Sequence, residues 1–336
     1  MRTDAHFHTD LGPTHDAKPV DLSMPALDMS TDTDFSNDGG QDCEPQPLAS
    51  PLAYEEAQAL ETTFIYARVD DPKGLVLMFH GGGGDKEDNL TRVDPSLIAR
   101  EALERGFAVA SLDSYAHLDP SAPKTQWSED PLDQNKDIDN TLEMIRKLKA
   151  VDALGVVPPE TPVVALGISN GGTMASRIAQ ASTAQIQASI IYISNAQVFH
   201  EDDAIHPPMV LVPGSQDPGR ALGTNTDLAN RINDTSRVLL LPNLPEPVTP
   251  GLFTRIPGID CTLSMAVVDA LRTQGWLDDD HMIIREINPR EVRALLPESA
   301  VSAAQSIIDV LTEAAAGHAP ASDLNTEVFD FIESHL

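Results

Sequence analysis

In Pro162-Val163-Val164-Ala165-Leu166-Gly167-Ile168, a run that is apolar along its whole length passes directly into Ser169-Asn170-Gly171-Gly172, where a helical pattern begins. Such a junction is a buried strand turning sharply into a helix. A side chain at its apex is held on a strained turn, and glycines two residues before and after it remove the Cβ atoms that would collide. Gly167-x-Ser169-x-Gly171 therefore favours a nucleophilic serine. The plainer reading is a helix-capping serine beside a glycine turn.

Outward from this point, helical and strand patterns alternate. Thr62 to Val69 and Leu75 to His80 flank Asp71-Pro72-Lys73-Gly74 and read as a hairpin. Asp94 and Pro95 fit the N-cap and first residue of a helix ending before Gly106, with a buried strand over Phe107 to Leu112. Ile138, Leu142, Ile145 and Leu148 recur at helical spacing. Beyond the serine come strands at Ile186 to Ser194, Pro208 to Gly214 and Arg237 to Leu241, with a helix near Thr226 to Asn233. Wholly apolar strands separated by amphipathic helices predict an α/β fold: a mainly parallel sheet covered by helices on both faces. Between 243 and 316 the strand pattern fades. Leu263, Val267 and Leu271 mark one helix, Asn288-Pro289 opens a short one, Ser299 caps a third, and a last helix carries Leu324, Val328, Phe331 and Ile332.

Residues 1–50 differ from the remainder, with ten acidic against two basic residues and few large apolar side chains. The expectation is an acidic, disordered tail or spacer, followed by a domain over 51–336. His6, His8 and His15 in the tail lack a rigid element to hold a metal, so no metal site is expected there.

The chain of 336 residues is long enough for a sizeable core, and its 52 acidic and 22 basic residues give a formal charge of −30. That charge opposes binding to nucleic acid or to an anionic membrane surface. The longest apolar runs, such as Leu75 to Phe79, fall well short of the roughly 20 residues of a membrane-spanning helix. Met1-Arg2-Thr3-Asp4 does not open a signal peptide, which is consistent with a chain that stays inside or with one already processed. Cys43 and Cys261 can pair only in an oxidising compartment.

Three further segments carry chemistry. His80-Gly81-Gly82-Gly83-Gly84 follows a strand, and glycines this dense make sense where bare backbone must approach a ligand; the alternative is a flexible solvent turn. Two amides aimed at a developing oxyanion would each contribute about 2.7 to 4 kcal/mol to its stabilisation. Ser215-Gln216-Asp217-Pro218 closes the strand second after the serine, and Asp-Pro is also a common turn former. His318 precedes the final helix in Gly317-His318-Ala319-Pro320-Ala321-Ser322-Asp323, with His281 its rival after Asp278-Asp279-Asp280.

Strand-His-Gly-Gly-Gly-Gly, then Gly-Ile-Ser-Asn-Gly-Gly, then an acid and a histidine downstream resembles the α/β-hydrolase fold, specifically serine esterases and lipases with a glycine-rich oxyanion loop. The likeness spans about residues 60 to 242 plus the carboxyl-terminal helix. It implies a triad in the chain order serine, acid, histidine, hence Ser169, Asp217 and His318, with the amides of Gly82, Gly83 and Asn170 as the oxyanion hole. His80 is expected to be structural. The 101 residues from Asp217 to His318 exceed what the simplest members need, and the excess is read as a helical cap over 243–316. That cap's apolar helices would either line an acyl or alcohol pocket or merely pack a core. Tyr115, His117 and Trp127 would border the site or cover it.

The implied function is hydrolysis of carboxylic esters through an acyl-enzyme, without metal or cofactor, on a small-molecule or polymeric ester. Alternatives are an exported polyester or feruloyl-ester depolymerase, a peptidase or a thioesterase of the same fold. Another class is a non-catalytic binding protein that keeps the fold. The expected setting is the periplasm or cell surface, with the cytoplasm as the alternative.

Overall fold

The computed structural model describes residues 43–49, 51–119, 121, 126–181, 186–200 and 206–336. The calls on residues 1–42, including His6, His8 and His15, lie outside the described residues. Eight strands form one sheet: β1 (Glu55–Gln58), β2 (Thr63–Ala67), β3 (Gly74–Phe79), β4 (Phe107–Leu112), β5 (Val163–Ile168), β6 (Ile186–Tyr192), β7 (Met209–Val212) and β8 (Val238–Leu240). Their order is β1-β2-β4-β3-β5-β6-β7-β8. From β4 to β8 all neighbours are parallel, and only β1 with β2 and β2 with β4 are antiparallel. With helices on both faces, this strand order is the α/β-hydrolase fold.

The expected hairpin of β2 with β3 does not form. β4 lies between them and pairs with both, for instance Phe64 opposite Leu112 and Val76 beside Val109. The turn at Asp71–Gly74 was read from local chemistry, whereas the pairing is decided by β3. That strand is buried along its whole length and has parallel partners, β4 and β5, on both sides.

Nine helices are assigned among the described residues: α1 (Asp88–Thr91), α2 (Val93–Glu104), α3 (Lys136–Lys149), α4 (Asn170–Gln180), α5 (Ala221–Ile232), α6 (Cys261–Thr273), α7 (Pro289–Leu295), α8 (Ala304–Ala314) and α9 (Asn325–Glu333). Alternate residues of β3 show how they cover the sheet. Leu75, Leu77 and Phe79 pack with Ile138 and Leu148 of α3 and Met174 and Ile178 of α4, while Val76 and Met78 pack with Ile98 of α2 and Val328 and Phe329 of α9. Each such side chain stabilises the fold by about 1.5 to 3 kcal/mol relative to exposure.

Helix ends follow their capping chemistry, with two corrections. Asn135 accepts from the amides of Asp137 and Ile138, and Asn288 from that of Arg290 with Pro289 behind it. Asp94, read as an N-cap, instead lies inside α2, which starts at Val93, and its carboxylate turns inward to Arg255. Ser299 caps no helix; a 3-10 segment over Glu298–Ala303 leads into α8.

The 243–316 block has its own core, in which Val267 and Leu271 are fully buried beside Phe253, Trp276 and Ile307. These apolar helices therefore pack a core. Residues 43–49 are bonded to the domain. Ala49 is buried and its amide donates to the Arg255 carbonyl, Gln46 N–H donates to Thr254 Oγ1, and Cys43 is disulfide-bonded to Cys261. No helix among the described residues is long and apolar enough to cross a membrane.

Candidate active site

Ser169 stands between β5 and α4 at φ 55° and ψ −120°, a backbone conformation that L-residues rarely hold. The strain persists because the surrounding backbone leaves no alternative. A Cβ on Gly167 would strike the carbonyl of Gly171, and one on Gly171 would strike the carbonyl of Phe79. Glycine at these two positions lets α4 start directly against the ends of β3 and β5.

The serine hydroxyl meets His318 at 2.7 Å from Nε2, and His318 Nδ1 lies 2.8 Å from Asp217 Oδ2. Asp217 is buried, and its other oxygen accepts from the amide of Gly219 at 2.8 Å. Since the carboxylate can only accept, Nδ1 carries the proton and Nε2 faces Ser169 as an acceptor. The two loops are joined by backbone. Gln216 N–H donates to Ala316 C=O at 2.9 Å, and Gly214 lies so close to Ala316 and Gly317 that a Cβ there would collide with both carbonyls. The three residues picked from sequence are thus brought into one hydrogen-bonded chain.

The glycine loop forms the facing wall. Gly84 N–H donates to Gly81 C=O at 3.0 Å, closing a turn whose third residue, Gly83, has φ 88°. The position a Cβ on Gly81 would take is 3.6 Å from Ser169 Cβ, and that on Gly82 is 3.7 Å from Asn170 Cβ, so the loop lies along the start of α4. Gly81, the first glycine after His80, was not among the expected oxyanion residues, yet it is the one against the serine.

His80 is buried, and its Nδ1–H donates to Gly81 C=O at 2.8 Å. Burial pushes this imidazole down to about 4, and its neutral form suits a weak acceptor contact at Nε2 with Ser114 N–H at 3.4 Å. Trp127 ties the two walls together: its indole N–H donates to His80 C=O and its amide to Asn170 Oδ1, both at 2.8 Å. His117 stacks edge-on against His80. Trp127 was expected only to border or cover the site.

The resulting cavity, of about 470 Å³, is lined by Ser169, His318 and the glycine loop. Asp88, Arg92, Gln126 and Asp309 also line it, with Gln126 and Asp88 lying against the glycine loop at Gly82 and Gly84. Arg92 is paired with Asp309 at 2.8 Å. From the 243–316 block only Asp309 and Thr312 reach the lining. His281 is not in it; its ring is bonded by Arg272 and its backbone by Val248 and Asp278. Among the described residues no group of three or more His, Cys, Asp or Glu is placed to hold a metal ion.

No family model and no curated protein matches the sequence. Solved structures resemble it distantly. Esterase 2 of Thermogutta terrifontis, phosphorylated by paraoxon, aligns with 56% of this chain and 81% of its own at 16% identity and a TM-score of 0.42. A serine hydrolase without lid from Xanthomonas campestris aligns with 59% and 88% at 16% identity and 0.40. The Bacillus cereus carboxylesterase aligns with 55% and 84% at 14% identity and 0.39. At this level of likeness nothing about activity passes from those proteins to this one.

Proposed function

We propose that this protein is a serine hydrolase that cleaves carboxylic esters through an acyl-enzyme. The observation that supports this reading best is the continuous hydrogen-bonded chain from Ser169 Oγ through His318 to Asp217, on a strained strand-to-helix turn that opens into a cavity. Ser169 Oγ attacks the acyl carbon as His318 Nε2 takes its proton. Asp217 keeps the proton on Nδ1 and stabilises the imidazolium. The C–O bond to the alcohol then breaks, and the alcohol leaves with the proton returned by His318. Water, activated by the same base, releases the acid and restores Ser169.

The developing oxyanion is held by the amides of Gly82, Gly83 and Asn170. Asn170 is the first residue of α4, where the amide has no acceptor within the helix and the dipole favours negative charge. No metal or cofactor takes part in this scheme. The cavity wall of Asp88, Arg92, Gln126 and Asp309 favours short, polar acyl or alcohol groups over long alkyl chains.

A fluorophosphonate probe followed by peptide mass spectrometry tests the reading. A single adduct on Ser169 is expected, and none when the protein is denatured before the probe is added. A native protein that takes no adduct and cleaves no p-nitrophenyl ester from acetate to palmitate would leave a non-catalytic binding protein as the better reading. Within that panel, acetate and butyrate should be turned over faster than palmitate.

A further inference from the structure

Beneath the loop that carries His318 lies a cluster of buried charge that the chemistry above does not use. Arg255 ends a 3-10 turn over Leu252–Arg255 and is only 3% exposed. Its guanidinium reaches Asp94 of α2 at 3.3 Å, Glu313 of α8 at 2.8 Å and Asp323 at 3.2 Å. Asp94 and Glu313 are as deeply buried, while Asp323 is half exposed and the half-buried Glu246 stands nearby. Burial, then the neighbouring Asp94, holds the Glu313 carboxyl well above its ordinary range.

Ser322 joins the loop to this cluster. Its amide donates to Glu313 Oε1 at 2.9 Å and its hydroxyl to Asp94 Oδ1 at 3.0 Å. His318 lies between Glu313 and Ser322, so one end of its loop is fastened to the Arg255 guanidinium and the other to the Glu313 and Asp94 carboxyl groups gathered around it. Stability alone is a poor reason for such an arrangement, since well-packed apolar side chains in place of a buried ion cluster are often as stable or more so. A guanidinium fork does supply directed bonds to several elements at once. The Arg255 backbone is fixed as well, its carbonyl accepting from Ala49 N–H at 2.8 Å.

We propose that Arg255 is a positioning residue for His318: by gathering Asp94, Glu313 and Asp323 it sets the 313–322 loop so that the imidazole spans Ser169 and Asp217. This rests on the hydrolase reading for its kinetic consequence, but not for its structural one. Arg255→Met, Arg255→Lys and wild type should be compared by kcat, KM and the low-field proton resonance of His318 Nδ1–H. A displacement of about 1 Å costs on the order of 100-fold in rate. Arg255→Met is therefore expected to lose about that much in kcat with KM within about threefold, and to lose the low-field resonance. Arg255→Lys should lie between it and wild type on both readouts.

A folded Arg255→Met with kcat within about twofold of wild type overturns the proposal, as does a fall in kcat with the resonance unchanged. If Arg255→Met does not fold, Arg255→Lys decides: wild-type kcat and resonance in it would make Arg255 a folding residue only. A wild type that neither hydrolyses esters nor labels at Ser169 refutes the hydrolase reading instead, and the resonance still reports on Arg255.

Discussion

The two halves of the site are built by different means. On the nucleophile side, the geometry of Ser169 comes from backbone: Gly167, Gly171 and the end of β5 force the turn, and the backbone from Phe79 to Gly82 lies against it. On the histidine side almost nothing is local. His318 is placed by Asp217 from 101 residues earlier, by Gln216 and Gly214 against Ala316 and Gly317, and by the cluster around Arg255. Backbone sterics within one turn can fix a nucleophile, whereas a base arriving from a distant loop must be held by side chains of several elements. The nucleophile side should therefore resist remote perturbation, and the histidine side should transmit it.

The largest expected effect crosses that divide. Ser169→Ala and His318→Ala should each lower kcat by on the order of 10⁶-fold, and the double variant should be hardly worse than either, because residues acting as a unit are strongly non-additive. Initial rates on p-nitrophenyl butyrate, with folding checked by circular dichroism, measure this. Either single variant retaining more than a hundredth of wild-type activity would break the assignment.

The same contrast explains what was legible in the sequence. The strand-turn-helix around Ser169 and the alternation of strands and helices are local patterns, and they were readable. Asp217 and His318 entered the candidate triad only because a resemblance said where along the chain to look. Arg255 carried no such mark: Phe253-Thr254-Arg255-Ile256 is no motif, and arginines are mostly exposed. Asp94 was misread for a related reason. Asp-Pro matches a helix start, but tertiary pairing with Arg255 outweighed the cap. The β2–β3 hairpin failed likewise, a local turn being overruled by which strands β3 needed as partners.

The next effect is on stability and belongs to the histidine side. The Cys43–Cys261 bond spans 218 residues, for which chain entropy sets a limit of about 5 kcal/mol. Because Gln46 and Ala49 keep their own bonds to Thr254 and Arg255, Cys43→Ser with Cys261→Ser should cost about 2 to 4 kcal/mol, a fall in Tm of roughly 3 to 6 °C. Calorimetry of protein made in an oxidising compartment measures it. A Tm within about a degree of wild type would show that residues 43–49 do not help to hold the domain.

A smaller effect belongs to the glycine-loop side and depends on pH. His80 is buried and neutral, with His117, Asp113 and Asp85 as its charged or titratable neighbours. Its folded-state value of about 4 lies below the 6.5 of an ordinary histidine, so the unfolded chain binds the extra proton first. The stability this contributes is complete above pH 6.5 and is lost as pH falls through 4, about 3 kcal/mol in all. Urea unfolding at pH 7 and pH 4.5 should show a decline in wild type that His80→Gln largely lacks. Equal declines in both would place the acid sensitivity elsewhere.

The smallest effect concerns the rival histidine. A general base must reach the nucleophile directly or through one water, and His318 does so at 2.7 Å. His281 sits in the turn after three aspartates, where Arg272 and the Val248 carbonyl engage its ring. Its backbone matters more than its imidazole: the amide donates to Asp278 C=O and the carbonyl accepts from Val248 N–H, both of which alanine preserves. His281→Ala should thus lower kcat less than tenfold. Its φ of 63° does penalise alanine, by about 1 kcal/mol, whereas asparagine adopts that conformation more readily. His281→Asn should accordingly recover most of the small loss in Tm that His281→Ala shows, although neither restores an imidazole. If His281→Ala instead cripples turnover while His318→Ala is benign, the base enters from the 243–316 block, and the division of the site drawn above is wrong.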